Sequence, residues 1–188
     1  MEYHLTAPLS KAQAALLRAG DKVLLSGYIY TARDAAHKRL CELLDAGRPL
    51  PIELAGAVIY YAGPTPARPG RPIGSIGPTT AYRMDKFTPR LLGLGMLGMI
   101  GKGDRSDEVI AAIKQAGAVY FGATGGAAAL LARAVRGAQT VAFAEYGAEQ
   151  ISRLEISEMP LTVVIDSLGN DLYKTGPKSY LQTIDTAE

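Results

Sequence analysis

The stretch GPTTAYRMD, residues 77–85, sets Thr79 and Thr80 just ahead of Arg83. Gly77-Pro78 breaks the chain, and a threonine hydroxyl can then cap a helix that follows. A cap accounts for one threonine only. Tyr82 and Arg83 stand three residues after the pair, where a reciprocal capping box needs Glu or Gln. Arg83 in a first helical turn opposes the macrodipole, at a cost of a few tenths of a kcal/mol, unless an anion meets it. The pattern points to an anionic ligand.

Two other stretches invite chemistry, and each also has a plainer reading. In TARDAAHKR, residues 31–39, Arg33 ends an expected strand, where open α/β sheets gather ligands. The plainer reading makes Asp34 and Lys38 an i,i+4 pair and puts Arg33 and His37 on a solvated face. In VYFGATGGAAALLA, residues 119–132, free N–H groups at a helix start could cradle an anion. Its glycines do not fit GxGxxG, so Gly125 through Ala129 read first as close helix–sheet packing by small residues, ahead of a ligand contact. GMLGMIGKGD fails as a phosphate loop, with Met96 in place of the first glycine and Gly103 in place of the magnesium-binding hydroxyl. Cys41 reads as a small buried hydrophobe rather than a nucleophile.

The elements that must position these residues alternate. DKVLLSGYIYTA (21–32) has strand composition, and RDAAHKRLCELLDAG (33–47) follows as a helix ending at Gly47. A strand over 53–63 precedes a proline-rich connection, 64–78. A helix from Ala81 to Leu92, a strand at 95–101, a helix over 106–115, a strand at 118–122 and a helix over 125–135 complete the rhythm. Such alternation implies parallel strands with crossover helices. Residues 152–174 read instead as strands joined by short turns, with turn chemistry at Gly169-Asn170, which adds an antiparallel portion. The expected organisation is one α/β domain over 1–175 and a polar tail over 176–188.

Composition excludes several classes. The 188 residues suit a single domain, and 20 Lys+Arg against 18 Asp+Glu are scattered rather than clustered, so nucleic acid is not an expected partner. No apolar run reaches membrane-spanning length and no signal peptide is legible, which gives an expectation of a cytoplasmic protein outside the membrane. One cysteine and two histidines cannot build a metal centre alone.

GYIYTARDAAHKRL, GPTTAYRMD, GKGDRS, GATGGAAALLA and DSLGNDLY occur in this chain in the order found in the β region of class I, iron–sulfur dependent hydro-lyases. The chain resembles that family, fumarase more than L-tartrate dehydratase, over residues 5–174. The resemblance implies a swivelling β/β/α domain of three layers with a mostly parallel sheet. It also implies reversible hydration of fumarate to L-malate by a two-subunit enzyme, an α2β2 heterotetramer, in which this chain is the β subunit. A [4Fe-4S] cluster would be held by cysteines of the α subunit, consistent with the lone Cys41 here. By motif match, Thr79 resembles the base, with Thr80 beside it, while Arg33, Arg83 and Lys102 match the residues that hold substrate carboxylates. Tyr82 stands where family members often carry a smaller residue. L-tartrate dehydratase or another dicarboxylate hydro-lyase remains the alternative within the family. Outside it stand a non-catalytic anion-binding module and a regulatory subunit.

Overall fold

The computed structural model describes residues 1–185. It holds a mixed sheet of seven strands: β1 (Glu2–Ala7), β2 (Lys22–Thr31), β3 (Val58–Tyr60), β4 (Gly98–Gly101), β5 (Val119–Gly122), β6 (Val135–Ala142) and β7 (Ile151–Ile165). The helices are α1 (Lys11–Leu16), α2 (Asp34–Asp45), α3 (Thr88–Gly93), α4 (Asp107–Ala116), α5 (Ala128–Arg133) and α6 (Leu172–Asp185), with 3-10 turns at Ala81–Met84 and Ala144–Glu149. Among the described residues no helix is long and apolar enough to cross a membrane.

β1 through β5 pair in parallel along the order β1-β2-β3-β4-β5, while β7 runs antiparallel to β2, β5 and β6. The pairings close on themselves through β2, β3, β4, β5 and β7, leaving β1 and β6 as outer additions. Central parallel strands are covered on both faces and read as continuous apolar runs. VIY of β3 and GMIG of β4 are buried throughout, as are the first three residues of β5. β2 shifts register against β7 between Leu25 and Gly27, and Gly27 pairs with Ala7 of β1 where only glycine fits. Its φ is +96°, and a Cβ there would lie 2.2 Å from the Ala7 carbonyl oxygen.

α2 is amphipathic and buries Ala36, His37, Leu40 and Leu43. α4 is bounded as its sequence dictates: the Ser106 hydroxyl accepts from the Val109 N–H at 3.3 Å, and Gly117 closes the helix in the left-handed conformation.

Several expected boundaries move. The single helix over 81–92 is two pieces, because the ring of Pro89 obstructs a helical turn running back to residue 85. Asp85 is in any case engaged elsewhere, by Arg105 and the Ser106 N–H. The strand over 53–63 shrinks to Val58–Tyr60, since Ala57 N–H bonds the Leu54 carbonyl in a turn at Gly56. The helix over 125–135 ends at Arg133, and Val135 opens β6 instead. The strands expected over 152–174 are one strand to Ile165, bulged where Glu158 adopts φ 52°, followed by a turn at Asp166–Asn170. α6 crosses residue 175, so a helix occupies most of the segment read as a polar tail; the last three residues of that tail lie outside the described residues.

Candidate active site

Because β2, β3, β4 and β5 are mutually parallel, their C-terminal ends share one rim. The register places Thr31 beside Tyr60, Tyr60 beside Ile100, and Gly101 beside Gly122. Arg33 follows the first of these ends, Lys102 the third, and the Gly125-Gly126 loop the fourth. The long connection after β3 returns to the same rim: Thr79 N–H donates to the Tyr61 carbonyl at 2.7 Å, and Lys102 N–H donates to the Thr79 carbonyl at 3.3 Å. Bridges Ala62↔Pro78 and Thr80↔Lys102 wedge this short extended piece between the ends of β3 and β4. Gly101 permits the close approach that follows, since a Cβ there would sit 3.0 Å from the Ala81 Cβ.

Thr79 is half-buried, and its Oγ1 accepts a long bond from Arg83 Nη1 at 3.4 Å. Arg83 Nε donates to Asp34 Oδ1 at 2.9 Å, while Nη2 lies 2.8 Å from Asp34 Oδ2 as a charge contact off the hydrogen-bond direction. The guanidinium thus faces the carboxylate edge to edge, with its side chain 45% exposed. The anion that the sequence demanded for Arg83 is present within the chain, and it is Asp34. Asp34 is therefore not paired with Lys38, whose ammonium lies 3.9 Å from Glu42 instead. Neither threonine caps: Thr80 occupies the N-cap position of the 3-10 turn without a side-chain bond to it. Thr80 itself is exposed and is brought to Lys102 by backbone pairing alone.

Arg33 is half-buried at the N-cap of α2. Its Nη2 lies 3.5 Å from Glu149 Oε1, and the other oxygen of Glu149 accepts from the Ala35 N–H at 3.0 Å. A Cβ on Gly63 would come within 3.2 Å of Arg33 Nη1, so Arg33 lies against the chain leaving β3. Lys102 is exposed; its Nζ reaches toward Gly125, where a Cβ would lie 3.7 Å away. Among the described residues no carboxylate lies within 4.0 Å of Lys102. Thr79, Arg83 and Lys102 are thus linked by direct bonds, and Arg33 joins them through the adjacent Asp34.

His37 does not share a solvated face with Arg33; it is fully buried. Its Nδ1–H donates to the Arg33 carbonyl at 2.9 Å, and its Nε2 is buried without a partner. Burial first, then the Arg105 charge, push the imidazole down to about 4, so it is neutral. Cys41 is half-buried, and burial raises its thiol, which keeps it protonated and unreactive.

Asp34 and Glu149 escaped sequence reasoning as partners, and so did Arg105. Arg105 is buried with Nε 2.7 Å from Asp85 Oδ1 and Nη2 2.8 Å from Thr88 Oγ1, between the rings of Tyr61 and Tyr120. Burial opposes its charge, but Tyr61 and Asp85 outweigh that and hold the guanidinium above its ordinary pKa. Asp85 Oδ2 also accepts from the Ser106 N–H at 2.7 Å. This network locks the turn carrying Arg83 to the loop carrying Lys102. A basic residue inside GKGDRS was its only signal. A recess of about 430 Å³, lined by Pro64, Ile73, Ala148, Gln150 and Leu154 among others, adjoins the Arg33 side of the rim through Gly63, but none of Arg33, Thr79, Arg83 and Lys102 lines it.

The family description "Fumarase C-terminus" matches residues 1–176. The chain is 38% identical over 173 residues to "Fumarate hydratase 2" of Leishmania major, covering 90% of this chain and 30% of that protein. It is 39% identical to "Fumarate hydratase class I, anaerobic" of Escherichia coli K12, covering 87% of this chain and again 30% of the relative. It therefore spans about a third of the length of the fumarate hydratases it matches. Against "Putative L(+)-tartrate dehydratase subunit beta" of Methanocaldococcus jannaschii it is 37% identical, over 98% of this chain and 97% of that one. The chain belongs to the fumarase C-terminus family, the region shared by class I fumarate hydratases and the tartrate dehydratase β subunit.

Proposed function

We propose that this chain is the β subunit of an iron–sulfur fumarate hydratase, a hydro-lyase interconverting fumarate and L-malate in the cytoplasm. Its fold would be the swivelling β/β/α domain, over 1–175, assembled with an α subunit as an α2β2 heterotetramer. The observation that carries the reading is the convergence of Thr79, Arg33, Arg83 and Lys102 on one rim of four parallel strands, with the Arg83 guanidinium on the Thr79 hydroxyl. The donor set does not fit a [4Fe-4S] cluster. The chain has one cysteine, and no three His, Cys, Asp or Glu side chains gather among the described residues. The cluster in this reading is the partner's, and the steps given to this chain do not pass through it.

Malate and fumarate are dianions, and planar guanidinium groups match carboxylates in bidentate fashion. Arg33 and Arg83 would hold the carboxylates, and Lys102, with no carboxylate partner among the described residues, would add charge beside them. Thr79 would take the proton from the carbon next to the one bearing the hydroxyl. A threonine alkoxide is reachable only with positive charge at hand, and the Arg83 Nη1–H on Thr79 Oγ1 supplies that support. The electron pair left on carbon would move into the adjacent carboxylate, where the same cations stabilise it.

A second reading, the β subunit of L-tartrate dehydratase, is favoured by the end-to-end match to a separate subunit. Both are tested by anaerobic co-purification with a cysteine-bearing α subunit and assay on fumarate, L-malate and tartrate. Fumarate hydration is expected from the pair, and Arg83→Met should lower kcat/KM by about 2 to 5 kcal/mol, roughly 30-fold or more, while leaving subunit association intact. Turnover by this chain alone in a chelator, or surviving Arg83→Met, contradicts the proposal. Turnover of tartrate in preference selects the second reading.

A further inference from the structure

We propose that Asp34 is a positioning residue for the reaction, one that turns the guanidinium of Arg83 so that its far edge stays available to a substrate carboxylate; this rests on the hydro-lyase reading above. A guanidinium carries five N–H donors in a fixed plane. In Arg83 the Nε–H is committed to Asp34 Oδ1 at 2.9 Å, and Nη2 abuts Asp34 Oδ2 at 2.8 Å. One Nη1–H leans on Thr79 Oγ1 at 3.4 Å. What remains is one N–H on each of Nη1 and Nη2, enough for a single bidentate carboxylate.

An exposed ion pair alone would be weak. This one differs in what it connects. Asp34 opens α2 after the end of β2, and Arg83 sits in the 3-10 turn that follows the end of β3, so the pair joins two strand ends of the rim across 49 residues of sequence. Asp34 also needs no arginine for its own element, because an acid in the first turn already suits the α2 dipole. The orientation it imposes on Arg83 is the same one that delivers Nη1 to Thr79. Removing the carboxylate charge would strengthen attraction for a dianion while releasing the guanidinium from its plane. Ground-state binding and turnover must then move differently.

The test uses the assembled two-subunit enzyme and, separately, this chain by itself. In the enzyme, Asp34→Asn is expected to lower kcat about 10-fold or more, with KM unchanged or lower. Asp34→Glu, which keeps the charge, should recover part of kcat. In NMR spectra of the chain, the Arg83 Nε–H signal, assigned by its loss in Arg83→Met, should be resolved and protected in the wild type and averaged away in Asp34→Asn. A wild-type enzyme inactive on all three acids defeats the hydro-lyase reading itself. An active wild type whose Asp34→Asn form keeps kcat, or raises KM with kcat intact, overturns the role of Asp34 alone. If Asp34→Asn fails to fold, Asp34→Glu decides: its Nε–H signal should shift and persist with kcat between zero and wild type, and an unchanged kcat refutes the proposal.

Discussion

The imidazole of His37 lies beneath the rim, and its protonation should set the acid limit of stability. It is fully buried, edge-on to the Tyr61 ring at 5.2 Å and near Phe87 at 6.2 Å. Arg105 disfavours the imidazolium, while Asp34 and the Arg33 carbonyl favour it, and desolvation outweighs both favourable contributions. The folded value of about 4 against 6.5 unfolded corresponds to about 3 kcal/mol at 1.36 kcal/mol per pKa unit. Because the unfolded chain binds the proton more readily, this contribution is complete above pH 6.5. It is lost as pH falls from 6.5 toward 4. His37→Phe keeps an aromatic ring among Tyr61 and Phe87 and removes the proton site. The Arg33 carbonyl stays satisfied by the His37 backbone N–H at 2.9 Å, so the substitution costs about 1 kcal/mol for the lost side-chain bond. Urea unfolding at steps from pH 7 to pH 4 should show the wild type losing about 3 kcal/mol more than His37→Phe across that window. A stability difference between the two proteins that stays constant from pH 7 to 4 would refute a neutral buried His37.

Arg105→Met should destabilise the chain by about 3 to 5 kcal/mol in urea unfolding, because it strands the carboxylate of Asp85 without its cation; Arg105→Met combined with Asp85→Leu should regain a large part of that loss. Thr79→Val, which exchanges the hydroxyl for a methyl, should lower kcat of the assembled enzyme by about 100-fold or more with little change in melting temperature, and Thr79→Ser should retain much of the activity. Equal kcat in Thr79→Val and wild type would remove Thr79 from the chemistry.

The parallel strands and their crossover helices were legible because their signals are local: apolar runs at β3, β4 and β5, and a helical apolar face with Ser106 and Gly117 as bounds in α4. The misread elements share a different cause. Pro89 stops the helix through Ala81, yet Arg105 decides where Asp85 turns, and that contact spans 20 residues. β6 was invisible because VRGAQTVA is mostly exposed and carries no alternation, so only its pairing with β7 makes it a strand. At the candidate site Arg83 was legible as an oddity and Arg33 by its place at a strand end, Lys102 came only through the family resemblance, and the carboxylate partners were not legible. The expectation of an anion at Arg83 rests on a helix start that the structure replaces with a four-residue 3-10 turn, in which Arg83 falls at the end. That Asp34 pairs with Arg83 depends on how the ends of β2 and β3 are brought side by side.

That juxtaposition has a topological origin. Parallel strands deliver every residue after their C-terminal ends to the same rim, so separate sequence segments need only end their strands correctly to contribute. Pairing of β7 with both β2 and β5 then fixes the two outer strands of that set to each other, and the rim loses the freedom an open sheet would have. The cations on it still repel one another. Asp34 and Glu149 relieve that repulsion from within, each holding one arginine, while among the described residues Lys102 has no carboxylate beside it. A rim built this way stays folded without its ligand and keeps one uncompensated positive charge. It is that residual charge, rather than the full set of three cations, that a dianion would meet first.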